Sequence, residues 1–162
     1  MGGKNAGEGN GRDAEAALRS LVAKVKQAHQ PLLRAMRREL KKRFPTALEL
    51  VYDYPNSLVI SYSPIERGSE APVTIAAGAD GIRLYFNNGP KLPDPQNMLL
   101  GSAKVVRYIM VESVNDLKRP AVRALISAAV AMAKIPLPGT GSGGLIIKSS
   151  SSKKKARRRA KK

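Results

Sequence analysis

Catalysis by this chain would have to work without the usual reactive donors. There is no cysteine and a single histidine, His29. That removes thiolate chemistry, disulfides and the common zinc and copper ligand sets. A serine or threonine nucleophile needs a base beside it, and His29 falls on the apolar face of a helical pattern, where a histidine packs more often than it reacts. Lys104 is another base, useful only if burial lowers its pKa. Gly101-Ser102-Ala103-Lys104 looks superficially like a phosphate loop, but G-x-x-x-x-G-K-[ST] is absent and a β-branched run follows in place of a helix. It reads as a turn into a strand. Carboxylates come singly, apart from Asp53 beside Tyr54 and the loop holding Glu66 and Glu70, so oxygen-only metal sites lack their cluster. No catalytic residue, metal ligand or cofactor is assigned.

Positive charge is what the chain has in excess. Its formal net charge is +17, and that charge is unevenly placed. Residues 135–162 carry nine Lys/Arg and no acid, and residues 14–43 carry nine against Glu15 and Glu39. Residues 44–134 are close to neutral. Eight of the C-terminal cations (Lys153, Lys154, Lys155, Arg157, Arg158, Arg159, Lys161, Lys162) follow a Gly/Ser stretch. Such a tail is expected to bind polyanions without choosing sequence, because phosphate contacts supply affinity and carry no base readout. The Gly/Ser stretch contains no aromatic residue on which bases could stack. The basic face of the helix over Arg34 to Arg43 would extend the footprint if it is more than a solvated surface.

A second polar group lies on or beside strands: Asp53, Tyr62, Glu66, Arg67, Lys104 and Arg107. Two readings stay open. Glu66 or Asp53 pairs with Arg67 or Arg107 to hold a loop to the sheet, or Lys104 and Arg107 line a pocket for a small anionic ligand at the open end of the sheet.

The elements that must position these residues follow from periodicity. Residues 1–13 are Gly/Asn-rich and expected to be disordered. Leu18, Val22, Val25 and His29 then repeat as one face of a helix. Pro31 interrupts it and opens a second helix to about Arg43, with Leu32 or Leu33, Met36 and Leu40 as its stripe and Pro45 as its stop. Short β-type runs follow, in which Leu48, Leu50, Tyr52 and Tyr54, and then Leu58, Ile60 and Tyr62, alternate with more polar neighbours. Pro64 to Ala71 reads as a polar loop. Val73, Ile75 and Ala77 lead through Ala79-Asp80-Gly81, a hairpin signal, to Ile82, Leu84 and Phe86. Pro90, Pro93 and Pro95 make an ordered crossover that is neither strand nor helix. A fifth strand, Lys104 to Val111, and a helix from Arg119 or Pro120 to Lys134 complete an α+β domain over 14–134, with a mostly antiparallel sheet of about five strands. Residues 135–162 read as Gly/Ser linker and disordered basic tail.

Three strings carry a resemblance: Glu49 to Asp53 (ELVYD), Ser63 to Arg67 (S-P-x-E-R), and the crossover, where Gly89, Leu92 to Pro95, Leu100 to Lys104 and Arg107 fall in order. The chain resembles the YdhG-like family of small bacterial domains, over roughly Glu49 to Ala133. The resemblance implies a curved sheet packed with helices near both termini, and residues corresponding to most of the polar group above. Some relatives have been described as frataxin-like iron carriers. Two departures stand out. Ala103 replaces the second glycine of G-S-G-K, which argues against close backbone approach by a ligand there, and Tyr54-Pro55 replaces a more Asn-rich turn.

No run reaches the roughly 18 apolar residues of a membrane span, and the start lacks a secretory apolar core. The expectation is a cytoplasmic, non-catalytic binding module that associates non-specifically with nucleic acid or another polyanion through its tail. The alternative is a small-ligand or iron carrier using the sheet pocket.

Overall fold

The computed structural model describes residues 3–149, with side chains from 11 to 148. The architecture is α+β. Two helices, α1 (Gly3–Val22) and α2 (Gln30–Arg43), precede strands β1 (Leu48–Tyr54), β2 (Ser57–Ser63), β3 (Val73–Gly78), β4 (Gly81–Asn87) and β5 (Val106–Val111). Helix α3 (Pro120–Met132) and a last strand, β6 (Leu145–Ser149), follow. The sheet has six strands in the order β5-β4-β3-β2-β1-β6. Its first five form an antiparallel meander, while β6 runs parallel to β1.

One face of the sheet is covered by helices. Val51, Leu58, Ile60, Val73, Ile75, Ile82, Leu84, Phe86, Ile109 and Val111 project from it into one core with Leu18, Leu33, Met36, Leu40, Val122, Leu125, Ile126 and Ala129. Pro31 in the first turn of α2 and the buried spacing Leu33, Met36, Leu40 follow the 3.6-residue period. Pro120 likewise opens α3.

Four features differ from the sequence reading. First, α1 starts at Gly3, not at Ala14, because extending an anchored helix is far easier than nucleating one. It also ends at Val22, so Val25 and His29 lie past it, His29 in a 3-10 turn at the start of α2. Second, the inward residues of β1 are Glu49, Val51 and Asp53, which pair with Tyr62, Ile60 and Leu58; Leu48, Leu50, Tyr52 and Tyr54 face the other side. Both sides of β1 are partly covered, so an apolar alternation there does not identify the core face. Third, part of the expected linker is structural. Leu145-Ile146-Ile147 is an apolar run with two β-branched isoleucines that pairs with Glu49, Leu50 and Val51, so the sheet has six strands and the 135–162 segment is not all tail. Fourth, β5 begins at Val106, leaving Lys104 and Val105 in the preceding loop.

Two glycines make close approaches possible. Gly143 donates its N–H to Pro45 O, and a Cβ there would lie 1.6 Å from Ala47 O. Gly89, in the crossover, sits against Arg107. The hairpin between β3 and β4 pairs Gly78 with Gly81, so the two-residue turn is Ala79-Asp80.

Candidate functional site

The six polar residues expected to form one site are dispersed. Glu49, Tyr62, Val73, Phe86 and Arg107 occupy one cross-sheet row. Arg107 is therefore three strands, about 14 Å, from Tyr62. Asp53 lies at the other end of β1, lining a cleft with Lys24, Lys26 and Asn56. Glu66 pairs with Lys148 of β6 at 3.6 Å, not with Arg67 or Arg107. Arg67 is exposed, and its carbonyl accepts a hydrogen bond from Ser63 Oγ at 2.9 Å. Arg107 turns back on its own loop, donating to the carbonyls of Ala103 and Val106. Lys104 is exposed, with no ion-pair or hydrogen-bond partner among the described residues. Among the described residues none of the expected ion pairs forms, and the six residues do not converge on one place. Strand order explains why. Tyr62, Glu66 and Arg67 lie on or just after β2, and Lys104 and Arg107 lie just before or at the start of β5, three strands across the same end of the sheet. Asp53 lies at the opposite end.

A polar constellation that the sequence reading missed lies between α1, α2 and β1. Arg37 Nε and Nη2 donate to Glu49 Oε2 and Oε1, each at 2.9 Å. Its Nη1 and Nη2 also donate to Glu15 Oε2 and Oε1, at 3.0 and 2.7 Å. Tyr62 Oη, buried, donates to Glu49 Oε2 at 3.0 Å. Lys41 Nζ approaches both carboxylates, at 4.0 Å from Glu15 and 3.9 Å from Glu49. Burial works against the Arg37 charge, but its hydrogen bonds to the Glu15 and Glu49 carboxylates and their negative charges outweigh it and raise its pKa. The same hydrogen bond from Arg37 lowers the Glu15 carboxyl, against the opposing effect of burial. Burial, reinforced by the Glu49 charge, pushes the Tyr62 phenol well above its ordinary value. The donors and acceptors satisfy one another, which makes this a clamp between two helices and the sheet.

The basic residues are arranged differently. Arg34, Arg38, Lys41, Lys42 and Arg43 are exposed along α2. The 3-10 turn Val114–Lys118 touches both α2 and α3, bringing Lys118, Arg119 and Arg123 beside them. Arg43 Nη2 donates to Ser127 Oγ of α3 at 2.7 Å. A cleft of about 440 Å³ opens between the two helices, with Leu40, Leu117 and Ile126 among its lining and Lys42, Arg43, Lys118 and Arg123 around it. Of these residues, only the α2 face stood out in the sequence. Arg43 and Arg123 are too far apart in the chain for spacing to connect them.

The sheet face away from the helices carries Tyr52 and Tyr54, stacked with ring centroids 6.1 Å apart, and Tyr85 against Tyr108 at 5.2 Å. The Arg83 guanidinium lies 4.4 Å from the Tyr108 ring centre. The eight tail cations, Lys153 to Lys162, lie outside the described residues. Among the described residues, no three His, Asp or Glu side chains gather into a group able to hold a metal, and no helix is long and apolar enough to cross a membrane. No protein-family model, curated protein or solved structure matches the chain.

Proposed function

We propose that this protein is a non-catalytic binding module that holds nucleic acid by charge, without reading its sequence. The observation that carries the proposal is the segregation of charge on the helical layer. Arg34, Arg38, Lys41, Lys42 and Arg43 of α2 are exposed, its end (Lys42, Arg43) lies beside Lys118 and Arg123, and Lys118, Arg119 and Arg123 are exposed as well. Among the described residues, Arg34, Arg38, Arg43, Lys118, Arg119 and Arg123 have no carboxylate at ion-pair distance. The clamp has used Glu15 and Glu49, and Glu39 is 3.7 Å from Lys42. Unpaired cations spread over one face meet phosphates by releasing counterions, and this binding needs no base contact. The tail cations extend the same chemistry.

The test is binding of a random-sequence duplex by the full chain and by residues 1–149, a truncation that leaves β6 whole. A footprint of about six phosphates should lose roughly a thousandfold in affinity between about 50 and 200 mM salt. Binding by both chains assigns the helical face, and binding by the full chain alone assigns the tail. Binding by neither overturns the proposal.

A further inference from the structure

The cleft between α2 and α3 contains an electrostatic arrangement that folding alone does not explain. Arg43 and Arg123, from different helices, flank one opening with Lys118 and no free acid. Glu39, the only acid lining the cleft among the described residues, is 3.7 Å from Lys42. Asp116 of the neighbouring 3-10 turn is occupied by its own cap, accepting from the Glu112 and Ser113 amides at 2.9 and 3.1 Å. The two guanidiniums repel each other: burial first, and then the Arg123 charge, lower the Arg43 pKa. A cation in the last turn of α2 has an ordinary role, balancing the helix dipole. That role covers Lys41, Lys42 and Arg43 but not Lys118 or Arg123.

Arg43 is also held in place before any ligand arrives. It donates to Ser127 Oγ and lies 5.8 Å from the Phe44 ring centre. The cleft rests on Leu40, Leu117 and Ile126, all buried, which lowers the local dielectric and strengthens any charge interaction above them. We infer that this cleft seats a phosphate group, with Arg43 and Arg123 as its paired donors and Lys118 at the rim. A guanidinium matches phosphate geometry with two parallel N–H donors, and two of them relieve their mutual repulsion on a shared dianion. The inference deepens the polyanion reading by naming a defined seat within a broad basic face.

The test uses the full chain and inorganic phosphate as probe, at ionic strength held constant with sodium chloride. Amide NMR should show saturable shifts centred on Leu40 to Phe44 and Leu117 to Arg123, and phosphate should raise the unfolding temperature. Arg123→Glu places a carboxylate beside Arg43 and keeps the Arg43–Ser127 bond. It should unfold at a higher temperature than wild type without phosphate and lose at least tenfold in phosphate affinity. Arg43→Gln with Arg123→Gln should lose the shifts as well. A short duplex separates the two sources of the phosphate. If duplex DNA displaces inorganic phosphate from these amides, the seat takes a backbone phosphate. If DNA binds elsewhere and Arg123→Glu leaves its affinity unchanged, the seat takes a free phosphorylated molecule. Shifts that do not saturate, or an Arg123→Glu protein that responds to phosphate like wild type, overturn the inference. DNA binding that survives in that case leaves the broader reading standing.

Discussion

Arg37 reaches from the middle of α2 to the start of strand β1 and donates two hydrogen bonds to Glu49, both at 2.9 Å. Glu49 projects from the sheet face that otherwise supplies the core, and its side chain is 5 % exposed. A carboxylate there is tolerable only because the guanidinium, the Tyr62 hydroxyl and Lys41 compensate for lost hydration. The second edge of the same guanidinium binds Glu15, so one side chain ties α1, α2 and β1 together.

Removing Arg37 should therefore be costly. Arg37→Met leaves the buried Glu49 without its two charged hydrogen bonds, with only the looser Lys41 at 3.9 Å and the Tyr62 hydroxyl, and a loss of about 3–5 kcal/mol in urea unfolding is expected. Adding Glu49→Gln to that variant removes the stranded charge and retains an acceptor for Tyr62, so at least half of the loss should return. A single-variant loss under about 1 kcal/mol, the range of an exposed pair, would show that the clamp is only decoration.

Stability should fall at both extremes of pH, for opposite reasons. The Glu15 carboxyl is lowered from its usual 4.5 by the Arg37 hydrogen bond. Its contribution is complete above 4.5 and is lost as pH drops through the lower folded value. Tyr62 is raised above its usual 10.0 by burial and by Glu49, so its contribution is complete below 10.0 and is lost as pH climbs toward the folded value. Glu15→Gln should flatten part of the acid limb and Tyr62→Phe part of the alkaline limb, measured as unfolding midpoint against pH. An unchanged acid limb in Glu15→Gln would refute the first assignment.

Gly143 and Gly144 offer a matched comparison. A methyl group on Gly143 would lie 1.6 Å from Ala47 O, while one on Gly144 meets nothing within 4 Å. Gly143→Ala should push β6 off β1, exposing the amides of the β6–β1 ladder to fast hydrogen exchange, whereas Gly144→Ala should leave that exchange close to wild type. Equal protection in the two variants would mean that the glycine-rich approach to β6 does not set its position.

How much of this was legible depends on whether a feature is local. The Pro31 and Pro120 helix starts, the β3–β4 hairpin and the crossover prolines all act through neighbouring residues, and each could be read from the sequence. A further local signal, Ser113-x-x-Asp116, was there to be used: Ser113 Oγ accepts from the Asn115 amide, and Asp116 accepts from the Ser113 amide, forming a capping box. Long-range features were hidden. Glu49 looks like the polar half of an alternating strand until Arg37 arrives from another element and lets it point inward. Leu145-Ile146-Ile147 is too short and too close to low-complexity sequence to stand out without β1 beside it. Arg43 and Arg123 become neighbours only when α3 folds across the sheet. The dispersal of the expected polar residues was hidden for the same reason, since the meander sets β2 and β5 three strands apart and places Asp53 at the opposite end of the sheet.

The crossover provides the last prediction. Its path is held by Asp94, whose Oδ1 and Oδ2 accept from the Met98 and Leu99 amides at 2.8 and 2.9 Å, and by Gly89 N donating to Val105 O at 3.0 Å. At Gly89 the chain passes so close to the start of β5 that an added Cβ would lie 2.4 Å from Arg107 N and 2.5 Å from Arg107 Cβ. Backbone cannot yield as a flexible side chain can, so Gly89→Ala should cost about 1–3 kcal/mol, the range of overpacking. The strain should appear first at the Gly89–Val105 hydrogen bond and then along β5. The antiparallel bridge between Leu100 and Tyr108 lies farther along the loop and should survive. Hydrogen exchange read residue by residue distinguishes these outcomes. Faster exchange at Gly89 with Tyr108 still protected places the strain at the glycine, while uniform loosening of both would mean that the crossover and β5 open together as one unit.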